Sequence, residues 1–485
     1  MTAIPLHFEL PANLTAKKFL TRLSKKIDLQ IATQQYTIKT FYDSFDWRLY
    51  KANIICEFNH SQSLSQLSLI NRNSGELIAQ QRLQNVPKFT GQFCQGRLKT
   101  HLASVLEMRA LLPLCQLPLV IYRINILNKD QKIILRIQLD EYESLNNHLT
   151  LYPLKGYEKA LTRVSELLQK SLELKPAHCT ILNAELKQQG RKPKDYSSKL
   201  FIKLKPEMRA DKASKVIYQH LLHIIQVNEA GTIADTDSEF LHDFRIAVRR
   251  TRAGLSQIIN TLPSSAVTKY ADFFAWLGQI TGETRDMDVY LLNYNQYKAA
   301  LPVSLQEDIT PLYDFLKQKQ SQAQKELAAR LNSSEYKKQL VAWEQYLQEP
   351  LPKKRQGSHA NMSIKKLADQ RIWKVYKRLL KEAQAITESS PAEALHDLRK
   401  TCKKLRYLME FFQSLYPGDD IKSLLKALKG FQSVLGDFQD YEIQETKLKQ
   451  FSEEMMSHDV SSTTLLAMGV LVLYLDSLKC AARNN

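Results

Sequence analysis

The chain has 485 residues with 68 Lys plus Arg against 50 Asp plus Glu, so its net charge of +18 comes from surplus cations and not from a shortage of acids. That balance calls for a partner rich in negative charge, but it does not choose among nucleic acid, anionic membrane and phosphate polymers, because bulk charge steers association without reading shape. The six cysteines (Cys56, Cys94, Cys115, Cys179, Cys402, Cys480) have no C-x-x-C spacing, which argues against a zinc site or a disulfide framework and fits a reducing cytoplasm.

The opening MTAIPLHFEL has no charged region followed by an apolar stretch, so no secretory signal is expected. Residues 1–185 read as an α+β domain. The runs TIKTFYDSF, ANIICEF, LSQLSLI, LVIYRINIL, KIILRIQLDEY and HLTLYPL alternate or carry β-branched residues, and YEKALTRVSELLQKSLEL closes the region as a helix. Residues 186–199, polar and containing Gly and Pro, suit a linker. From residue 200 the spacing is helical, interrupted at LPKKRQGSHANMS (351–363), which predicts two helical halves at 200–350 and 364–485. The longest apolar run, Leu465 to Leu475, is too short to span a bilayer and reads as the buried face of a last helix.

The helical part contains a repeat. LHDFRIAVRRTR from Leu241 matches LHDLRKTCKKLR from Leu395 at a shift of 395 − 241 = 154, and the same shift superposes Gly282 on Gly436 and Asp286 on Asp440. Each block predicts a helix with an apolar seam: Leu395, Leu398, Cys402, Leu405, Met409 and Phe412 recur at three and four residues. Beside the seam, His242, Arg245, Arg249 and Arg252 fall within an arc of about 80°, as do His396, Arg399, Lys403 and Arg406. Arg250 and Lys404 follow, and Lys400 adds a cation in the second copy only.

A charged stripe on an amphipathic helix is most often a solvated face. A solvated face, however, does not require His at one fixed place and Arg three and ten residues on in both copies. Unpaired like charges at helical spacing repel by a few tenths of a kcal/mol per pair, and an anionic ligand would relieve this. The two histidines read as phosphate donors that gain charge as pH falls toward about 6. Metal binding is not indicated, since neither His has a second His at i+4. Asp286 and Asp440 read as structural carboxylates that orient or pair the stripe.

At these residues the chain resembles the CHAD family, the conserved-histidine α-helical domain, whose halves each carry H-x-x-R-x-x-x-[RK]-[RK]-x-R. The resemblance covers about residues 200–485. It implies two pseudo-symmetric four-helix bundles whose basic helices face a central groove, inorganic polyphosphate as the bound polyanion, and cytoplasmic localisation at polyphosphate granules. Lys203, Lys205, Arg209, Arg285, Arg371, Lys374, Arg378 and Lys426 are further expected contacts.

The N-terminal region resembles, more loosely, a CYTH domain, the antiparallel triphosphate tunnel often fused ahead of CHAD. FYDSFDWRLYKANIICEF and LRIQLDEYE carry the likeness. The family's metal-binding E-x-E-x-K falls on Ala3, Pro5 and His7; its arginines fall on Glu57 and Asn59; its late acidic strand falls on HLTLY, residues 148–152. A tunnel without those carboxylates has nothing to fix a catalytic divalent cation, so a degenerate, non-hydrolytic domain without metal or other cofactor is expected. Basic residues still exceed acidic ones in residues 1–200, 28 against 16, so this domain could attract anions too. The competing readings are a metal-dependent triphosphatase, a nucleic-acid binder, favoured by charge but lacking aromatics within the stripe, and a scaffold for an acidic partner. No membrane insertion is expected.

Overall fold

The computed structural model describes residues 5–62, 64–177, 180–351, 357–387, 390–457 and 460–484. Ala3, Cys179 and residues 352–356 of the expected break lie outside them. The chain divides into two compact units, residues 1–197 and 198–485.

The first unit contains β1 (Leu6–Glu9), α1 (Ala16–Ser24), β2 (Leu29–Asp43), α2 (Arg48–Lys51), β3 (Ile54–His60), β4 (Ser65–Asn71), β5 (Leu77–Arg82), α3 (Arg97–Leu106), β6 (Leu112–Leu127), β7 (Ile133–Tyr142), β8 (His148–Pro153), α4 (Glu158–Ser171), β9 (Lys175–Pro176) and α5 (Ile181–Gln188). The strands form one antiparallel sheet in the order β5-β4-β3-β2-β6-β7-β8-β1-β9. Its end strands do not pair with each other among the described residues, so the sheet is an open, curled half-barrel. The alternation in β6 and β7 sends Ile124, Ile126, Leu135, Ile137 and Leu139 to one face, where α1 and α4 bury Phe19, Leu23, Val164 and Leu168 against them. The opposite face carries a buried polar cluster described below.

The motif YDSFDWR is a turn device. Asp43 at the end of β2 accepts the backbone N–H groups of Ser44, Leu49 and Tyr50 at 2.7–2.9 Å, satisfying donors at the start of α2. Burial nevertheless pushes its carboxyl up to about 6. Trp47, with φ of 63°, is 1% exposed, and its indole N–H donates to Asp195 at 2.8 Å. Residues 191–196, inside the stretch expected as a linker, are thereby fastened to the first unit, and Tyr196 is buried there.

The second unit is all helical: α6 (Ala210–Ile233), α7 (Ser238–Gln257), α8 (Ser264–Ile280), α9 (Gly282–Ala300), α10 (Thr310–Asn332), α11 (Ser334–Gln348), α12 (Ile364–Gln384), α13 (Ala392–Phe412), α14 (Gly418–Met456) and α15 (Ser462–Asn484). Adding 154 to 210, 238 and 264, where α6, α7 and α8 begin, gives 364, 392 and 418, where α12, α13 and α14 begin. The sequence repeat is therefore a structural repeat. Its halves differ where α8 and α9, separated at Thr281, correspond to the single helix α14; the repeat positions of α11 begin at 334 + 154 = 488, past residue 485.

Two apolar cores hold this unit together, and neither follows the halves. One joins α6, α7, α8 and α11 to α12 and α13; the other joins α9 and α10 to the C-terminal part of α14 and to α15. The α7 seam enters the first core through Leu241, Phe244, Val248 and Leu255, and the α13 seam through Leu398, Cys402, Leu405, Met409 and Phe412. Helix α15 is long and apolar enough to cross a membrane by length and composition, but its Ala467, Met468, Leu471 and Leu475 lie in the second core.

Candidate functional site

Helices α7 and α13 carry the two motifs and pack against each other. Because their apolar seams point into the shared core, the adjoining stripes emerge along the line where the helices meet. Arg249 and Lys403 occupy the same repeat position, 403 − 249 = 154, and they interact across this line. Because α7 and α13 are repeat equivalents that pack together, a pseudo-twofold axis passes between them.

The cations there crowd one another. Burial, together with Arg399 and Arg249, lowers the Lys403 ammonium to about 8. Burial and Arg249 lower the Arg245 guanidinium to about 10, with Asp286 and Arg285 beside it. Arg285, on α9, is lowered by burial in the same way. Neither Lys403 nor Arg249 has a hydrogen-bond or ion-pair partner among the described residues, and the same holds for Arg252 and Lys404. The buried Nε atoms of Arg399 and Arg406 likewise lack a protein acceptor.

The Gly and Asp of each repeat explain how the arginines are aimed. Arg245 donates to Gly278 O at 3.1 Å and Thr281 Oγ1 at 2.7 Å, at the α8–α9 junction. Arg399 donates to Gly436 O, to Gln439 Oε1 at 2.8 Å and to Asp440 Oδ1 at 3.1 Å. A Cβ at Gly436 would stand 3.4 Å from Arg399 Nη2, and one at Gly282 would stand 3.9 Å from Arg245 Nη1. The repeated glycine is thus the floor on which the guanidinium rests, and Asp440 holds one edge of it. In the first copy Asp286 lies near Arg245 and Lys447.

Gln439 and Lys447 are missed by sequence reasoning. Gln439 bonds Arg399 and also His396 Nδ1. Its signal was present, since 439 − 154 = 285 makes it the repeat partner of Arg285. Lys447 has no such signal, because Asn293 stands at its repeat position.

Several expected contacts are engaged by protein. Arg250 donates to Glu410 at 2.8 Å, in a pair whose side chains are 12% and 9% exposed, and to Ser198 O at 3.0 Å. It ties α7 to α13. Arg406 lies 3.7 Å from the other oxygen of Glu410. Arg371 donates to Gln257 O at 2.7 Å. Arg209 pairs with Asp211, Arg378 with Glu382 and Lys400 with Asp397. Lys203, Lys205, Lys374 and Lys426 are exposed, and His242 is half-buried on α7.

In the first unit the sheet's polar face is internally compensated. Lys39, 6% exposed, donates to Asp140 at 3.0 Å and to Tyr142 Oη at 3.3 Å, and lies 4.0 Å from Glu57. These acids hold its ammonium well above the usual lysine range, outweighing burial, which acts in the other direction. Asn59 donates to Glu57 at 3.0 Å, and His7 on β1 bonds Thr150 on β8 at 3.1 Å. Glu57, where the resemblance to a CYTH domain would place an arginine, thus helps neutralise Lys39. No cluster of three or more His, Cys, Asp or Glu suited to a metal ion occurs among the described residues.

The CHAD domain model matches residues 216–449. No curated protein matches the chain. Among solved structures, the CHAD domain of the plant Ricinus communis is 23% identical, covering 59% of this chain and 96% of its own, with a TM-score of 0.48. A Hippeastrum protein provisionally assigned as an adenylyl cyclase, with a dominant triphosphatase activity, is 13% identical over 41% of this chain and 100% of its own, with a TM-score of 0.31. A provisionally assigned adenylate cyclase of Bacillus halodurans is 15% identical over 37% of this chain and 95% of its own, with a TM-score of 0.29.

Proposed function

Because residues 216–449 constitute a CHAD domain, we propose that the helical unit binds inorganic polyphosphate along the α7–α13 stripe. The observation that carries this reading is the packing of α7 against α13, which brings the two basic stripes together; burial and the neighbouring Arg399 and Arg249 hold the Lys403 ammonium down, to about 8. A chain of phosphates presents regularly spaced anionic oxygens that accept charge-assisted hydrogen bonds from both helices at once. Arg249, Arg252, Lys403 and Lys404 supply the contacts, while Arg245 and Arg399 are held beside them by the glycine and aspartate blocks. His242 and His396 extend the row toward the N-terminal ends of the two helices, and exposed Lys203, Lys205, Lys374 and Lys426 add to the surrounding field. Such binding fits a cytoplasmic protein that collects at polyphosphate granules.

The sheet unit in this reading binds without hydrolysing. The Lys39–Asp140–Glu57 cluster supports it, because it satisfies internally the charges a triphosphate and its metal would need. Magnesium- or manganese-dependent release of phosphate from triphosphate would overturn this part.

The test is binding of long-chain polyphosphate to wild type and to an Arg245→Ala, Arg249→Ala, Arg399→Ala, Lys403→Ala variant, with DNA as competitor. Wild type should bind tightly, with affinity falling steeply with salt as counterions are released; the variant should lose about 1,000-fold, four contacts at about 1 kcal/mol each. Equal displacement by DNA would favour a general nucleic-acid or polyanion binder. A variant matching wild type would place the binding elsewhere.

A further inference from the structure

The structural repeat identifies an apolar surface that is covered in the first half and exposed among the described residues of the second. In the first half, α11 lies over α6 and α8. Its buried Tyr336, Leu340, Trp343 and Leu347 recur at +4, +3 and +4. Trp343 stacks within 4.4 Å of Tyr270 and 5.7 Å of Phe274 on α8, and 5.5 Å of Tyr218 on α6. The α6 side chains Lys215 and Gln219 donate to the carbonyls of Tyr346 and Leu347 at the end of α11.

The same surface of the second half, on α12 and α14, has no such helix over it among the described residues. Leu222, Tyr270 and Leu277 are 4%, 4% and 0% exposed; their repeat equivalents Tyr376, Leu424 and Phe431 are 38%, 55% and 40% exposed. Trp373, at the position of Gln219, is 57% exposed and stacks on Tyr376. A cavity bounded by Ile372, Trp373 and Tyr416 lies on the α12 side. An apolar surface of this extent on a charged protein marks an interaction site.

The rim indicates what fits. Lys366, Lys377 and Lys381 of α12 are exposed, and Lys377 sits 5.1 Å over the Trp373 ring. Of the acids nearby, Asp369 is taken by Lys365 and Tyr416 and Asp419 pairs with Lys422, while Asp420 is exposed one turn before Leu424. A second copy meeting this surface face to face would bring lysine against lysine in a chain of net charge +18. We propose that the α12–α14 surface docks an amphipathic helix of a partner protein, one with large apolar residues at the α11 spacing and acidic flanks. This goes beyond polyphosphate binding, since none of the apolar residues involved belongs to the stripe.

The probe is a fluorescent peptide of residues 334–349 carrying Lys337→Glu and Lys338→Glu, titrated with the full chain and followed by anisotropy. Saturable binding is expected, weakened about tenfold by Phe431→Asp and by Trp373→Ala, as for loss of a buried anchor, and absent for a scrambled peptide of the same composition. Leu424→Glu serves as a third variant, and circular dichroism together with retained polyphosphate binding confirms that each is folded. The proposal is overturned if wild type does not bind, if the scrambled peptide binds as well, or if the variants bind as wild type. A dimer in sedimentation that Phe431→Asp dissolves would assign the surface to a second copy instead.

Discussion

Lys403 sits between Arg249 and Arg399, and its charge has a cost that a ligand can reclaim. Its folded-state value of about 8 is below that of an ordinary lysine, so between about pH 8 and the usual lysine range the unfolded chain holds the extra proton. Stability of the ligand-free protein therefore rises with pH across that window. Lys403→Met should raise the melting temperature at pH 7 by about 2 °C, an advantage that shrinks by pH 9, while weakening polyphosphate binding. In wild type, affinity should fall from pH 7 to 9 as Lys403 loses its proton, and at pH 8 binding should take up protons, seen as a buffer-dependent enthalpy in calorimetry. Asp288 has the opposite sign. Burial and Asp235 raise it to about 7, so its contribution is fully present below the ordinary carboxyl range and is lost as pH rises through 7. Asp288→Asn should flatten the stability profile between pH 5 and 8 in urea titrations.

Helix pairs are set by close contacts that leave no latitude. Gly231 on α6 faces the ring of Phe240 on α7, and a Cβ there would collide with it. Gly231→Ala should cost about 3 kcal/mol, at the upper end for overpacking, measured by denaturant unfolding. The Arg250–Glu410 pair joins α7 to α13 in surroundings where neither partner is well hydrated. Glu410→Ala leaves the guanidinium with Ser198 O, and a loss of about 3 kcal/mol is expected. An unchanged midpoint would show that Arg250 reaches solvent. The strand runs in β2, β3, β4, β6, β7 and β8 were legible because alternation reports a half-buried sheet. Strands β1 and β9 are too short to carry that signal, β5 (LIAQQR) does not alternate, and α2 depends on Asp43 accepting three backbone donors, a local arrangement that periodicity does not report.

The helical unit as a whole is made of two halves by sequence and two cores by packing, and the divisions do not coincide. Helices α6, α7 and α8 share a core with α12 and α13, and α9 shares one with α14 and α15. A fragment ending at residue 350 exposes both cores and should show no cooperative unfolding transition by calorimetry, whereas residues 198–485 should. The sequence by itself determined the repeat, the apolar seam and the basic stripe beside it, because spacing along one helix decides which side chains share a face. It also singled out Asp440, which recurs with the stripe and reads as a carboxylate that orients or pairs it, as its bond from Arg399 does. Only the tertiary structure decided which cations remain available: Glu410 lies 160 residues from Arg250, and no local pattern links them. It likewise decided that Phe431 is exposed among the described residues while its repeat equivalent Leu277 is buried, because burial depends on whether a helix distant in the chain returns to cover a surface, as α11 does in the first half.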